Sequence, residues 1–96
     1  MTKLSVKSIA GIQCGTDSDG TRLRDQLLPL LKSGEKVELD FEGVELASST
    51  FFNASIGLAF RHFGEQFISE HVIYSNLKSR VQFVLDRTLR TYATAV

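Results

Sequence analysis

Apolar and polar residues alternate most clearly in the segment VELDFE, residues 37–42. In an extended chain its valine, leucine and phenylalanine lie on one side and its three acids lie on the other. Gly43 ends the alternation, and three hydroxyl residues, Ser48, Ser49 and Thr50, then precede an apolar run. Hydroxyl side chains are typical of a helix start, because the first backbone N–H groups of a helix have no acceptor within it. This region therefore predicts a strand, a short connection and a helix that begins at exposed hydroxyls.

Apolar side chains surround most of the helix predicted for residues 50–63. They form two stripes at helical spacing: Phe52, Ile56, Ala59 and Phe63 in one, and Phe51, Ser55 and Leu58 in the other. A helix that is apolar nearly all round is either buried or faces a partner. We expect one side of this helix to contact another chain. The alternative is that the third predicted helix and a loop cover it.

The N-terminal part predicts a strand over residues 3–9, a loop over residues 13–20 and a helix over residues 21–32. Leucines at helical spacing mark the helix, and Pro29 inside it predicts a kink or a tightened last turn, because proline lacks the backbone N–H. The fragment DSDG at residues 17–20 is similar to part of a calcium-binding loop, but the glutamate that completes that motif is missing. A polar loop that caps the helix is the favoured interpretation.

The C-terminal part predicts a connection over residues 64–70, a short strand over residues 71–74 and a last helix capped by Ser75 or Asn76. The apolar stripe of this helix consists of Leu77, Val81, Val84, Leu85, Thr88, Leu89 and Tyr92. Its outer face is locally positive, which is typical of a solvated helix surface. We expect the tail at residues 93–96 to fray.

The predicted order of elements, β-α-β-α-β-α, indicates an α/β fold. We expect a small mixed β-sheet with helices mainly on one face. The acids on one side of the strand at residues 37–42 indicate a sheet face that is only partly covered. The length of 96 residues predicts one domain over residues 1–96.

Composition narrows the classes of partner. Eleven Lys and Arg residues balance eleven Asp and Glu residues, which leaves no overall basic field for nucleic acid. No apolar run approaches the length of a membrane span, and the N-terminus lacks the apolar segment of a signal peptide. The single cysteine, Cys14, excludes an intramolecular disulfide and fits a reducing compartment. We therefore expect a cytoplasmic protein with neither nucleic acid nor a membrane as partner.

The run LDFEGVELASSTFF, with the upstream helix start GTRLR at residues 20–24, resembles the small bacterial STAS-like proteins of unassigned function. More distantly it is similar to the STAS domains of anti-sigma factor antagonists. The resemblance covers about residues 20–77 and implies a STAS-like fold with this order of helices and strands.

In the antagonists, a strand that carries an acid leads to Asp-Ser-Ser-Gly at a helix start, and a partner kinase of the anti-sigma type phosphorylates the first serine. The resemblance places Asp40 at the strand acid, Ser48 at the aspartate, Ser49 at the phosphorylated serine and Thr50 at the second serine. Two positions differ: Ser48 replaces an acid and Phe51 replaces the glycine. The charge and the backbone freedom that a kinase would meet therefore differ as well.

Ser49 has two candidate roles. As an N-cap it would contribute about 1 kcal/mol through a bond to a backbone N–H near Phe52. As a phosphoserine it would place a charge of about −1.5 to −2 at a helix start, where negative charge is favourable. Ser48 or Thr50 could be the cap instead.

No catalytic set accompanies these residues. Asp40 and Glu42 share a strand face without a nucleophile or a base, so a solvated face is the favoured interpretation. His62, His71 and Cys14 lack the spacing of metal ligands. We expect no enzyme activity, no cofactor and no metal.

These observations favour a non-enzymatic regulatory module that binds a partner protein. The predicted partner surface consists of Ser48, Ser49, Thr50, Phe51, Asn53, Ser55 and Leu58. The resemblance implies a kinase-like or anti-sigma-like ATP-binding partner, with phosphorylation of Ser49 as the switch. The alternative is a homo-oligomer, a structural module that self-associates through the same helix without phosphorylation.

Overall fold

A computed structural model describes residues 1–94 of the chain, and five strands lie within that range. In the larger sheet, β3 (Val37–Asp40) lies between β1 (Thr2–Ser5) and β5 (Val72–Ser75). In the smaller sheet, β2 (Gln13–Cys14) pairs with β4 (Leu46–Ala47). The expected mixed sheet was wrong, because every strand pair in the described range runs parallel. Parallel neighbours need crossover connections, and helical segments supply them here.

The helices are α1 (Val6–Ala10), α2 (Asp17–Lys32), α3 (Ser49–Phe52), α4 (Leu58–Phe63), α5 (Glu65–His71) and α6 (Ser79–Thr94). A π-helical segment, Asn53–Gly57, joins α3 to α4. Because the backbone keeps helical angles across both junctions, residues 49–63 form one continuous helix, which we call the composite helix. The chain thus contains more elements than the predicted order β-α-β-α-β-α. The expectation that the helices lie mainly on one face of the sheet remains a prediction.

The N-terminal strand is shorter than the predicted range of residues 3–9, which was wrong beyond Ser5. The Ser5 hydroxyl accepts a hydrogen bond of 3.2 Å from the Ser8 N–H and begins α1. Val6 and Ala10 are the buried residues of α1, and their spacing of four is helical. After Ser5, the residues that were predicted to extend the strand therefore form a short amphipathic helix.

Helix α2 begins at Asp17, four residues before the predicted start. The Thr16 hydroxyl accepts from the Asp19 N–H at 3.0 Å, and the Asp19 carboxylate accepts from the Thr16 N–H at 3.3 Å. This reciprocal pair is a capping box. The acids of the fragment that is similar to a calcium loop thus belong to a helix start, and Asp19 also pairs with Arg22.

The predicted connection over residues 64–70 was wrong, because α5 occupies most of it and buries Ile68. The following strand begins at Val72, one residue after the predicted start. The last helix is confirmed as α6, which extends into the tail that was expected to fray. Residues 95–96 of that tail lie outside the described range.

The central strand has the predicted alternation. Val37 and Leu39 are buried, whereas Glu38 and Asp40 are partly exposed. On the exposed side, the Ser75 hydroxyl donates to the Glu38 carboxylate at 2.7 Å across the β3–β5 pair. The prediction of a sheet face that is only partly covered is therefore confirmed for this strand.

Candidate functional site

Ser48 is the N-cap of the composite helix. Its hydroxyl oxygen accepts from the Phe51 N–H at 3.1 Å and donates to the Gly15 carbonyl at 3.2 Å. Its backbone N–H donates to the Cys14 carbonyl at 2.9 Å. Of the three candidates for the cap, Ser48 is therefore the one used, and these bonds fix the helix start to the β2–α2 connection.

Ser49 follows in the first turn and is exposed. Its hydroxyl has no hydrogen-bond partner among residues 1–94. It lies in a groove of about 110 Å³ between the composite helix and α6, which is also lined by Asn53, Val84, Arg87, Thr88 and Thr91. Ser49 is thus available to chemistry that its neighbour Ser48 is not.

Thr50 opens onto a second, wider groove of about 440 Å³. Asn53 lines both grooves, so Ser49, Thr50 and Asn53 form one continuous exposed surface, which we call the polar strip. Leu58, which is partly exposed, lies further along the second groove. The remaining lining residues are Asp17, Ala54, Arg61 and Tyr92.

Two residues of the predicted partner surface are not at the surface. Phe51 and Ser55 are both 0% exposed, so their inclusion was wrong. The Phe51 ring packs edge-on against Phe52 with centroids 5.2 Å apart. The Ser55 hydroxyl donates to the Phe51 carbonyl at 2.8 Å, so its role is to bond the backbone at the start of the π segment.

Two glycines mark where neighbouring segments pack closely at the composite helix. A Cβ on Gly20 of α2 would lie 2.5 Å from the Phe51 carbonyl oxygen, and a Cβ on Gly57 would lie 2.6 Å from the Tyr92 hydroxyl. Helix α2 therefore packs closely against the backbone of the composite helix at Gly20, and the Tyr92 side chain of α6 lies against Gly57. These helices cover the apolar residues of segment 51–57, whereas Leu58, Phe60 and Phe63 stay partly exposed. For that segment the packing agrees with the alternative interpretation, except that α2 takes the place of the loop.

Two arginines border the polar strip. The Arg87 guanidinium lies 5.8 Å from the centre of the Phe83 ring and forms no ion pair within the described range. The Arg61 guanidinium lies over the Tyr92 ring at 5.5 Å. The positive face of α6, which the sequence pattern assigned to solvation, thus contributes Arg87 to the groove of Ser49. The sequence contains no local signal that links Arg87 to Ser49.

Asp40, the strand acid of the resemblance, is held at the end of β3. The Asn76 amide donates to it at 2.8 Å and the Glu42 N–H at 3.0 Å, and these bonds, with Lys3 at 3.7 Å, lower the pKa of the Asp40 carboxyl. Cys14 is buried, and its thiol donates to the Gly11 carbonyl at 3.3 Å. Burial raises the pKa of the Cys14 thiol to about 11, so it is not a thiolate near neutral pH.

Within residues 1–94, no three side chains of His, Cys, Asp and Glu are grouped so that they could hold a metal ion. Nor does any helix in that range combine the length and the apolar character that crossing a membrane requires.

A comparison with protein families matches residues 19–82 to the model described as STAS-like domain of unknown function (DUF4325). The matched segment runs from the first turn of α2 to the first turn of α6, so it contains β3, the composite helix and β5. No curated protein and no solved structure matches the chain. Because the family match covers two thirds of the 96 residues, the chain belongs to the family of STAS-like domains of unknown function.

Proposed function

We propose that this chain is a non-enzymatic regulatory module that binds a partner protein, and that phosphorylation of Ser49 switches the binding. The observation that carries the proposal is that the adjacent residues Ser48 and Ser49 differ in their hydrogen bonding. Ser48 holds the helix cap, whereas the Ser49 hydroxyl is exposed and has no partner within the described range. A phosphate on Ser49 would therefore replace no existing side-chain bond there.

The surroundings of Ser49 suit a phosphate. A phosphate adds a charge of about −1.5 to −2, and the first turn of a helix favours negative charge. Arg87 lines the same groove, and a guanidinium can donate two parallel hydrogen bonds to a phosphate. The composite helix would persist after phosphorylation, and the polar strip would change from neutral to negative.

The two departures from the antagonist motif are compatible with this proposal. The Phe51 side chain is directed into the core, so it does not alter the exposed surface next to Ser49. Serine and aspartate are both good N-caps, so Ser48 can perform the capping role of the aspartate without its charge. The partner therefore meets a less acidic helix start than in the antagonists.

The partner surface in this proposal is the polar strip, with Ser48 and Leu58 at its ends. By resemblance to the antagonists, the partner is a kinase-like or anti-sigma-like ATP-binding protein. Self-association through the composite helix is the weaker alternative. In the stripe formed by Phe51, Ser55 and Leu58, only Leu58 is partly exposed, because the other two residues are buried. Light scattering over a range of concentrations, with Leu58→Asp as the variant, separates the two proposals.

Affinity capture from an extract of the native host tests the switch. Wild-type protein, Ser49→Glu and Thr50→Glu are immobilised, and retained proteins are quantified by mass spectrometry. We expect an ATP-binding protein that is retained by the wild type and by Thr50→Glu but at least tenfold less by Ser49→Glu. Equal retention by all three variants would contradict the proposed role of Ser49.

A further inference from the structure

Phe83 is the one phenylalanine of the chain that is exposed, with 60% of its surface accessible. It lies on the outer face of α6 with Arg80, Arg87 and Arg90, since residues three or four apart share a helix face. These arginines are exposed as well. We call the four residues the arginine face. An exposed aromatic ring among arginines is typical of the residues that dominate binding at protein interfaces.

The arginine face carries positive charge that the described part of the fold does not fully neutralise. Arg87 forms no ion pair within residues 1–94. Arg80 lies 3.8 Å from the carboxylate of Glu45, but the ammonium of Lys78 lies 2.5 Å from the same carboxylate, so one acid serves two cations. Asp86, the one acid of α6, borders the face at one edge. The excess of positive charge is complementary to a negatively charged partner.

The contact between Phe83 and Arg87 indicates which negative group fits. The Arg87 guanidinium lies 5.8 Å from the centre of the Phe83 ring, a distance at which the ring attracts the cation. A guanidinium held in this way can donate two parallel hydrogen bonds to a carboxylate. The exposed ring next to it offers apolar surface to a neighbouring side chain. A peptide in which acids lie next to apolar residues satisfies both groups.

A membrane surface fits this face less well. Amphipathic helices that bind a membrane bury a broad apolar side in it. The apolar side of α6 is instead buried in the core through Val81 and Leu85, and Phe83 is the one large apolar residue that the described part of α6 exposes. A protein segment, which needs one apolar contact beside its acids, is therefore favoured.

We propose that the arginine face binds an acidic segment of the partner protein, with a carboxylate on Arg87 and an apolar side chain on Phe83. Phosphate on Ser49 then withdraws Arg87 from this segment, because Arg87 also lines the groove of Ser49. This second step rests on the proposed function. It explains how one phosphate weakens binding, since the phosphate competes with the carboxylate of the acidic segment for the same guanidinium.

A matched pair of peptides tests the docking step: acetyl-EDLLED-amide, and acetyl-QNLLQN-amide, which has the same leucines without the charge. Both are titrated into the ¹⁵N-labelled full chain at low salt and followed by NMR. We expect amide shifts concentrated at residues 79–91. The acidic peptide should bind about fivefold more tightly than the uncharged one, as exposed ion pairs predict.

Variants at exposed positions make the docking test decisive. Arg87→Gln should weaken binding of the acidic peptide about threefold, and Phe83→Ala should weaken binding of both peptides. Lys32→Gln, which removes the same charge from an exposed position on α2, should change neither. Equal binding of the two peptides, shifts that map elsewhere, or equal effects of Arg87→Gln and Lys32→Gln would overturn the docking step. So would phosphatidylserine vesicles or duplex DNA that bind at this face when the acidic peptide does not.

The same acidic peptide tests the switch step. Ser49→Glu should weaken its binding about threefold in the wild-type background and leave it unchanged in Arg87→Gln. Thr50→Glu, which adds the same charge outside the groove of Arg87, should have a smaller effect. An equal loss with and without Arg87 would overturn this step. Because the glutamate charge is fixed, the result does not depend on whether a host kinase modifies Ser49, so its failure is distinguishable from failure of the proposed function.

Discussion

Ser49 and Arg87 line one narrow groove, although 37 residues separate them along the chain. The contact between the composite helix and α6 brings them together, and the cap bond of Ser48 leaves the Ser49 hydroxyl unengaged. A charge added at Ser49 therefore acts on the start of one helix and on the outer face of another. The chemistry of Ser49 therefore depends on how α6 packs against the composite helix.

Replacing Ser49 by glutamate should raise the free energy of unfolding by about 0.3–1 kcal/mol, because an acid in the first helical turn is favourable. Ser49→Lys should lower it by a similar amount. In an Arg87→Gln background the gain from glutamate should shrink, since the contribution of the guanidinium is lost. Urea denaturation of the four single and double variants measures these differences. An equal gain with and without Arg87 would show that the two side chains do not interact.

Replacing Ser48 by alanine should lower the free energy of unfolding by about 1 kcal/mol, because the N–H of Phe51 loses its acceptor. Ser49→Ala is the matched control and should change it by less than about 0.5 kcal/mol. Chemical denaturation of both variants gives the comparison. The assignment of the cap to Ser48 would be refuted if Ser49→Ala were the more costly substitution.

Replacing Gly20 by alanine should destabilise the fold, although alanine is the better helix former by about 1 kcal/mol. The new Cβ would lie against the Phe51 carbonyl and the Ala54 side chain, and overpacking of this kind costs about 1–3 kcal/mol. Gly15→Ala is the control, because a Cβ at that position has no neighbour within 4 Å. A thermal melt in which Gly20→Ala unfolds at or above the wild-type temperature would contradict the close packing of α2.

The Asp40 carboxyl should titrate below its usual range because Asn76 and the Glu42 N–H donate to its charged form. A lowered pKa in the folded state means that this stabilisation is present above the unfolded pKa and is lost as the pH falls through the folded one. Asn76→Gly should raise the pKa, and glycine keeps the positive φ of 56° at this position without strain.

Carboxyl ¹³C NMR titration measures the pKa of Asp40 in the wild type, in Asn76→Gly and in Lys3→Met. The smaller rise is expected for Lys3→Met, because the ammonium of Lys3 is a weaker influence than the Asn76 amide. The reverse order would show that charge and not hydrogen bonding controls this carboxyl.

Local chemistry explains which parts of the fold could be predicted. The alternation of β3 and the hydroxyls before the composite helix depend on neighbouring residues, so both elements were found within one residue or two. Helices α1 and α5 are short, with five and seven residues, and helical spacing is difficult to recognise over so few positions. The capping box of Thr16 and Asp19 was present in the sequence and could have located the start of α2.

The candidate site was predicted only in part, because exposure depends on packing between distant segments. The sequence predicted that Ser49, Thr50 and Asn53 lie at the surface, and all three are exposed in the structure. Phe51 and Ser55 are buried in a helix that α2 and α6 contact, and no local pattern reports these contacts between distant segments. For the same reason the groove that Arg87 shares with Ser49 became visible only in three dimensions.

The most direct test of the proposed switch is to locate the phosphate. The purified protein is incubated with ATP and an extract of its native host, and tandem mass spectrometry then assigns the modified residue. The wild type and Thr50→Ala should carry phosphate on Ser49, and Ser49→Ala should carry none on the composite helix. Phosphate on Ser48 or Thr50, or none on wild-type protein under conditions that phosphorylate other proteins of the extract, would contradict the account.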